Sequence, residues 1–119
     1  MNQHEKLNYV ELAAAKLEQT KAFFSTVFAW QFSDYGPDYA AFSVASAGLE
    51  GGFYRAPLAS RSEQGAALLV FYSANLEATQ AKVAAAGGEI CKAIFSFPGG
   101  RRFHFLEPSG NEFAVWSDQ

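Results

Sequence analysis

The feature that most constrains this chain is an order of segments that occurs twice with shared residues. Leu17-Glu18-x-Thr20-x-Ala22 returns as Leu76-Glu77-x-Thr79-x-Ala81, 59 residues on, while Gly48-x-Glu50 returns as Gly110-x-Glu112 and Tyr54 as Trp116, 62 residues on. A repeat of this length signals two copies of one supersecondary unit, neither of which buries its apolar face alone. The three residues gained between the two offsets fall in turns.

Each copy has the same grammar. "LNYVELAAA" (7–15) reads as a strand, and "KLEQTKAFFSTVFAW" (16–30) places Leu17, Phe23, Phe24, Val27 and Phe28 close to helical spacing. "QFSDYGPDYAAFSVASAGLEGGFYRA" alternates β-prone runs with turn signals, which predicts a meander of three strands. "PLASRSEQGA" (57–66) reads as a linker. The order then restarts: "ALLVFYSA" as a strand, "NLEATQAKVAAAG" as a helix closed at Gly87-Gly88, and strands in "GEICKAIF", "RRFHFLE" and "NEFAVWS". The expected fold is α+β, two repeated βαβββ modules at about 5–56 and about 66–118 in a single domain over 1–119. They form a curved mixed sheet with a cleft and with the helices on its outer face. Four strands and one helix cannot cover both faces of a sheet, so the open faces must be covered by each other, by a second subunit or by a ligand.

Composition narrows the partners. With 119 residues, half of them apolar and 16 % aromatic, the chain supports one real core. A net charge of −3 with scattered basic residues lacks the footprint that holds phosphate backbones, so no nucleic acid is expected. No apolar run approaches the ~18 residues of a membrane span, and "MNQHEKLNYV" lacks the blocks of a signal peptide, which predicts no membrane partner and a cytoplasmic location. The single Cys91 excludes an internal disulfide and a cysteine-based zinc site, and its strand-like context reads as a small hydrophobe. There is no G-x-S-x-G elbow, no Walker loop and no G-x-G-x-x-G after a strand.

Three stretches, "NYVELAAAKLEQTKAFFSTVFAWQF", "LEATQAKVAAAGGEI" and the closing hairpin "FLEPSGNEFAVW", together resemble the vicinal oxygen chelate superfamily. This superfamily includes glyoxalase I, extradiol dioxygenases, fosfomycin-modifying enzymes and bleomycin-resistance proteins. "FAWQFSDYGPDYAAF", "GGFYRA" and "FPGGRRFHF" look more closely like its glyoxalase-related subgroup of small single-domain proteins. The resemblance implies the fold over nearly the whole chain and homodimers that complete their clefts by pairing. In metal-dependent members it also implies four ligands, His, Gln or Glu, on the first and last strands of each unit. The matching positions here hold Tyr9, Gly52, Leu68 and Ala114, of which only a tyrosine carries a donor. No metal and no cofactor is therefore expected, and glyoxalase or dioxygenase chemistry would lose its main electrostatic term.

Strand alternation names the residues that share a face with those positions: Glu11 with Tyr9, Val70 and Tyr72 with Leu68, Glu50 and Tyr54 with Gly52, Glu112 and Trp116 with Ala114. Phe103 and Phe105 should face the helices, leaving Arg102 and His104 on the open face. Tyr9, Tyr54, Tyr72, Arg102 and Trp116 are the candidate ligand-binding residues, since their flat faces stack on planar molecules. Tyr35 and Tyr39 flank the "GPDY" turn and could close over a ligand. Glu11 and His104 are the candidate catalytic residues and form the acid–base couple on offer; the alternative is a structural pairing of Glu11 with Arg102 or His104. Three functions compete: a binding protein for a small hydrophobic or aromatic molecule, a metal-independent lyase or isomerase on a carbonyl compound using Glu11 and His104, and a non-catalytic homodimeric interaction module.

Overall fold

A computed structural model describes residues 2–119. The first module is β1 (Tyr9–Ala13), α1 (Leu17–Phe28), β2 (Phe32–Asp34), β3 (Tyr39–Phe42), a one-turn helix α2 (Val44–Ala47) and β4 (Glu50–Tyr54). A short 3-10 turn at Ser62–Gln64 interrupts the connection. The second module is β5 (Leu69–Tyr72), α3 (Leu76–Ala85), β6 (Glu89–Phe97), β7 (Gly100–Leu106) and β8 (Glu112–Ser117). The βαβββ order is borne out; α2 has no signature in the meander.

The modules form two four-stranded mixed sheets of identical topology, β1-β4-β3-β2 (sheet A) and β5-β8-β7-β6 (sheet B). In each, the first strand runs parallel to the last. The duplication holds to the residue: Glu11 pairs with Gly52 and Val70 with Ala114, and those partners stand 59 and 62 residues apart as in the sequence. β1 and β5 each pair on one side only, so both keep a free edge.

α1 ends at Phe28, the last apolar residue at helical spacing and two residues before the end of the segment 16–30 read as helix. Ala29 takes a left-handed backbone (φ 59), its N–H donating to the Ser25 carbonyl and the following Trp30 N–H to the Phe24 carbonyl. The reversal folds Trp30 back so that it stacks on Phe24 at 4.5 Å. Phe24 then contacts Phe53 of sheet A at 5.6 Å and Phe113 of sheet B at 5.2 Å, while Phe28 stacks on Phe71 at 4.2 Å. One helix of the first module therefore supplies core to both. Phe103 and Phe105 are fully buried on the helix side, as alternation requires.

The hairpin between β7 and β8 locks the modules together. The buried Glu107 accepts from Thr20 Oγ1 (2.5 Å) on α1 and from the Ser109 N–H (2.8 Å). Asn111 Nδ2 donates to the Ala13 carbonyl (2.7 Å), and Asn111 Oδ1 accepts from the Ser60 N–H (2.8 Å). Burial raises the Glu107 carboxyl above its usual range against the pull of these donors. Among the described residues no helix is long and apolar enough to cross a membrane.

Candidate functional site

Residues paired in register across a sheet present their side chains on one face. On the face of sheet B turned from the helices, this builds a row from Tyr72 to Trp116 to Arg102 to Phe95. Three of the five expected ligand-binding residues therefore stand side by side. Tyr72 meets Trp116 edge to face at 5.3 Å and donates its hydroxyl to Asp118 (2.6 Å). Arg102 lays its guanidinium over Phe95 (5.3 Å) and Phe97 (5.7 Å). The remaining two, Tyr9 and Tyr54, lie on the open face of sheet A.

The next row of sheet B holds Val70, Ala114, His104 and Lys92. His104 is 2 % exposed, and its Nδ1 lies 2.7 Å from Oε2 of Glu112, its diagonal neighbour on β8. Oε1 of Glu112 accepts from the backbone N–H and the hydroxyl of Ser62, both at 2.8 Å. Burial alone would raise the Glu112 carboxyl, but the bonds from His104 and Ser62 and the attraction of His104 outweigh it and bring it down to about 2. An ionised carboxylate has no proton to give, so Nδ1 is the donor. His104 Nε2 is left buried without a partner.

The expected couple of Glu11 with His104 is not formed. Glu11, on sheet A, accepts from the Tyr9 hydroxyl (3.0 Å), whereas His104 is committed to Glu112 on sheet B. The structural pairing of Glu11 with Arg102 or His104 is replaced in the same way. The segment read as a linker supplies Ser62, which no periodicity could have revealed. Glu112 was legible as sharing the open face; its bond to His104 depends on which strands become neighbours.

Of the four positions where a metal is implied, Tyr9 alone offers an oxygen. Its hydroxyl is bonded to Glu11 and Tyr39, and burial together with these bonds raises its pKa, so the phenol stays protonated. A Cβ at Gly52 would collide with the Tyr39 ring, which fills that corner. Leu68 precedes β5, and Ala114 is fully buried. Among the described residues no three His, Cys, Asp or Glu side chains converge as a metal would need. The residues present do not fit the family's metal.

Between the free edges of β1 and β5 lies an apolar cleft of about 350 Å³, lined by Val10, Trp30, Phe42, Leu69, Phe71 and Tyr72 among others. Tyr9, Val70 and Tyr72 beside it remain about half exposed.

The model of the Glyoxalase/Bleomycin resistance protein/Dioxygenase superfamily matches residues 6–115, and the chain belongs to that superfamily. Its fold is similar to that of the fosfomycin resistance protein FosX from Listeria monocytogenes, with a TM-score of 0.77 and 17% identity over 97% of this chain and 94% of that one. It is also similar to a glyoxalase/bleomycin resistance protein/dioxygenase family enzyme from Burkholderia phytofirmans PsJN (TM-score 0.76, 17% identity, 94% and 98% covered). A glyoxalase-related enzyme from Fulvimarina pelagi gives a TM-score of 0.75 at 15% identity, with 95% and 88% covered. No curated protein matches the chain.

Proposed function

We propose that this member of the superfamily binds a small planar hydrophobic or aromatic molecule on the open faces of its sheets, without metal chemistry. The observation that carries the reading is the row Tyr72–Trp116–Arg102–Phe95, a flat shelf of side chains left partly exposed beside an apolar cleft. Large rigid rings lose little entropy on binding and suit flat partners. The positions that would chelate an ion hold groups that pack or stack.

A homodimer agrees with the same features. Tyr9, Val70 and Tyr72 are exposed apolar side chains next to two free strand edges, and pairing two copies would cover them. Two experiments test the proposal. Equilibrium dialysis and thermal shift against a broad set of planar compounds should find ligands whose binding quenches Trp116 fluorescence and weakens in Trp116→Ala. Sedimentation at micromolar concentration should give a dimer. Absence of any binder removes the ligand reading, and a monomer removes the dimer.

A further inference from the structure

The open face of sheet B carries an arginine with nothing to hold, and we propose that it is the fork for the carboxylate of a planar hydrophobic acid. The inference rests on the ligand reading above and adds the chemical class of the ligand.

The other arginines show what this one lacks. Arg55 is paired with Glu18 and Asp38, Arg61 with Glu63 and Glu112, and Arg101 with Glu77. Among the described residues the Arg102 side chain has no carboxylate within ion-pair distance and no hydrogen bond, and its Nε, like that of the ion-paired Arg61, is buried without an acceptor. A buried donor left unmade weakens a fold, so its survival points to an acceptor from outside the chain. The acidic groups around it are already engaged. Asp118 accepts from Tyr72, and both oxygens of Glu112 are taken by His104 and Ser62.

Geometry prepares the fork. Stacking on Phe95 and Phe97 fixes the guanidinium plane before any ligand arrives, and a planar guanidinium matches a carboxylate through two parallel bonds. Tyr72 and Trp116 continue the row and supply apolar contact for the body of the acid. A second unmet group lies two residues along the same strand and face: Nε2 of His104, whose ring is 5.9 Å from the Phe95 ring. It offers a ligand, or a bridging water, one further hydrogen-bonding nitrogen. Lys92, opposite His104, adds positive charge to a chain that is negative as a whole.

The test is calorimetric titration of the full chain with 2-naphthoate and with 2-naphthamide, its uncharged counterpart of the same shape. Wild-type protein should bind the acid at least about tenfold more tightly than the amide. Arg102→Met should abolish that preference, so that acid and amide bind alike, and Arg102→Lys should restore only part of it. Should Arg102→Met fail to fold, Arg102→Gln replaces it, and the wild-type comparison needs no variant. Equal affinity for acid and amide overturns the fork and leaves the planar-ligand reading standing. Binding of neither at millimolar concentration also overturns the fork, and the planar-ligand reading is then decided by the broad set of planar compounds above.

Discussion

Replacing Glu112 by Gln removes one charge from a buried cluster without changing its size, and the geometry gives the cost. The carboxylate receives His104 Nδ1 at 2.7 Å and two bonds from Ser62 at 2.8 Å, and it titrates at about 2 instead of 4.5. At about 1.4 kcal/mol for each pH unit, this preference for the ionised form is worth on the order of 3 kcal/mol. Because the folded pKa is depressed, the contribution is complete above the usual carboxylate range and is lost as pH falls from about 4.5 to about 2. Urea midpoints should therefore separate wild type from Glu112→Gln by on the order of 3 kcal/mol at pH 7, equivalent to roughly 10 °C in melting temperature. The two should converge near pH 2. Glu107 is present in both proteins and cancels from the difference. The amide also presents N–H toward Nδ1, so the imidazole nitrogen shifts should report a change of tautomer. Parallel stability curves from pH 7 to pH 2, with no tautomer change, would refute the account of this cluster.

Phe24→Ala empties the ring that touches both sheets and should cost about 3–5 kcal/mol, with both modules unfolding in one transition by calorimetry; two separate transitions would show that the modules do not share this core. Thr20→Val removes a donor from the buried Glu107 and should cost about 1–3 kcal/mol. Because burial raises the Glu107 pKa, its favourable contribution is present at low pH and lost as pH rises through the raised value, so the penalty in urea should be larger at pH 8 than at pH 5. Gly52→Ala places a Cβ against the Tyr39 ring and should cost about 1–3 kcal/mol while disturbing the tyrosine ultraviolet signal; an unchanged spectrum and midpoint would show that the ring has room to move. Zinc, nickel or manganese in slight excess should leave the melting temperature unchanged, and stoichiometric binding by calorimetry would mean that donors other than those at the four family positions converge on an ion.

The duplication was readable because it is written in local patterns. Strand alternation and helix spacing depend on neighbours a few residues away, and two copies of them fix the order of elements and the face on which each side chain emerges, while the pairing of β1 with β4 and of β5 with β8 came from the structure. The same logic placed Arg102, His104, Glu112 and Trp116 on the open face, and the superfamily resemblance marked Tyr9, Gly52, Leu68 and Ala114 as the positions where metal-dependent members carry ligands. The end of α1 was misjudged because Ala29 reverses the chain through a left-handed backbone, driven by the stacking of Trp30 on Phe24 and not by any helix-stop residue.

Sequence by itself thus determined the two-module α+β fold, which follows from short-range spacing, and the absence of chelating side chains at the positions that the superfamily resemblance marks, which follows from residue identity. Tertiary structure decided who meets whom. It gave His104 to Glu112 instead of Glu11, brought Ser62 out of an apparent linker to complete that cluster, laid Tyr39 over Gly52, and left Arg102 stacked and unpaired. These contacts join residues on different strands and loops, and their partners are chosen by how sheets and connections pack, which no periodicity along the chain records.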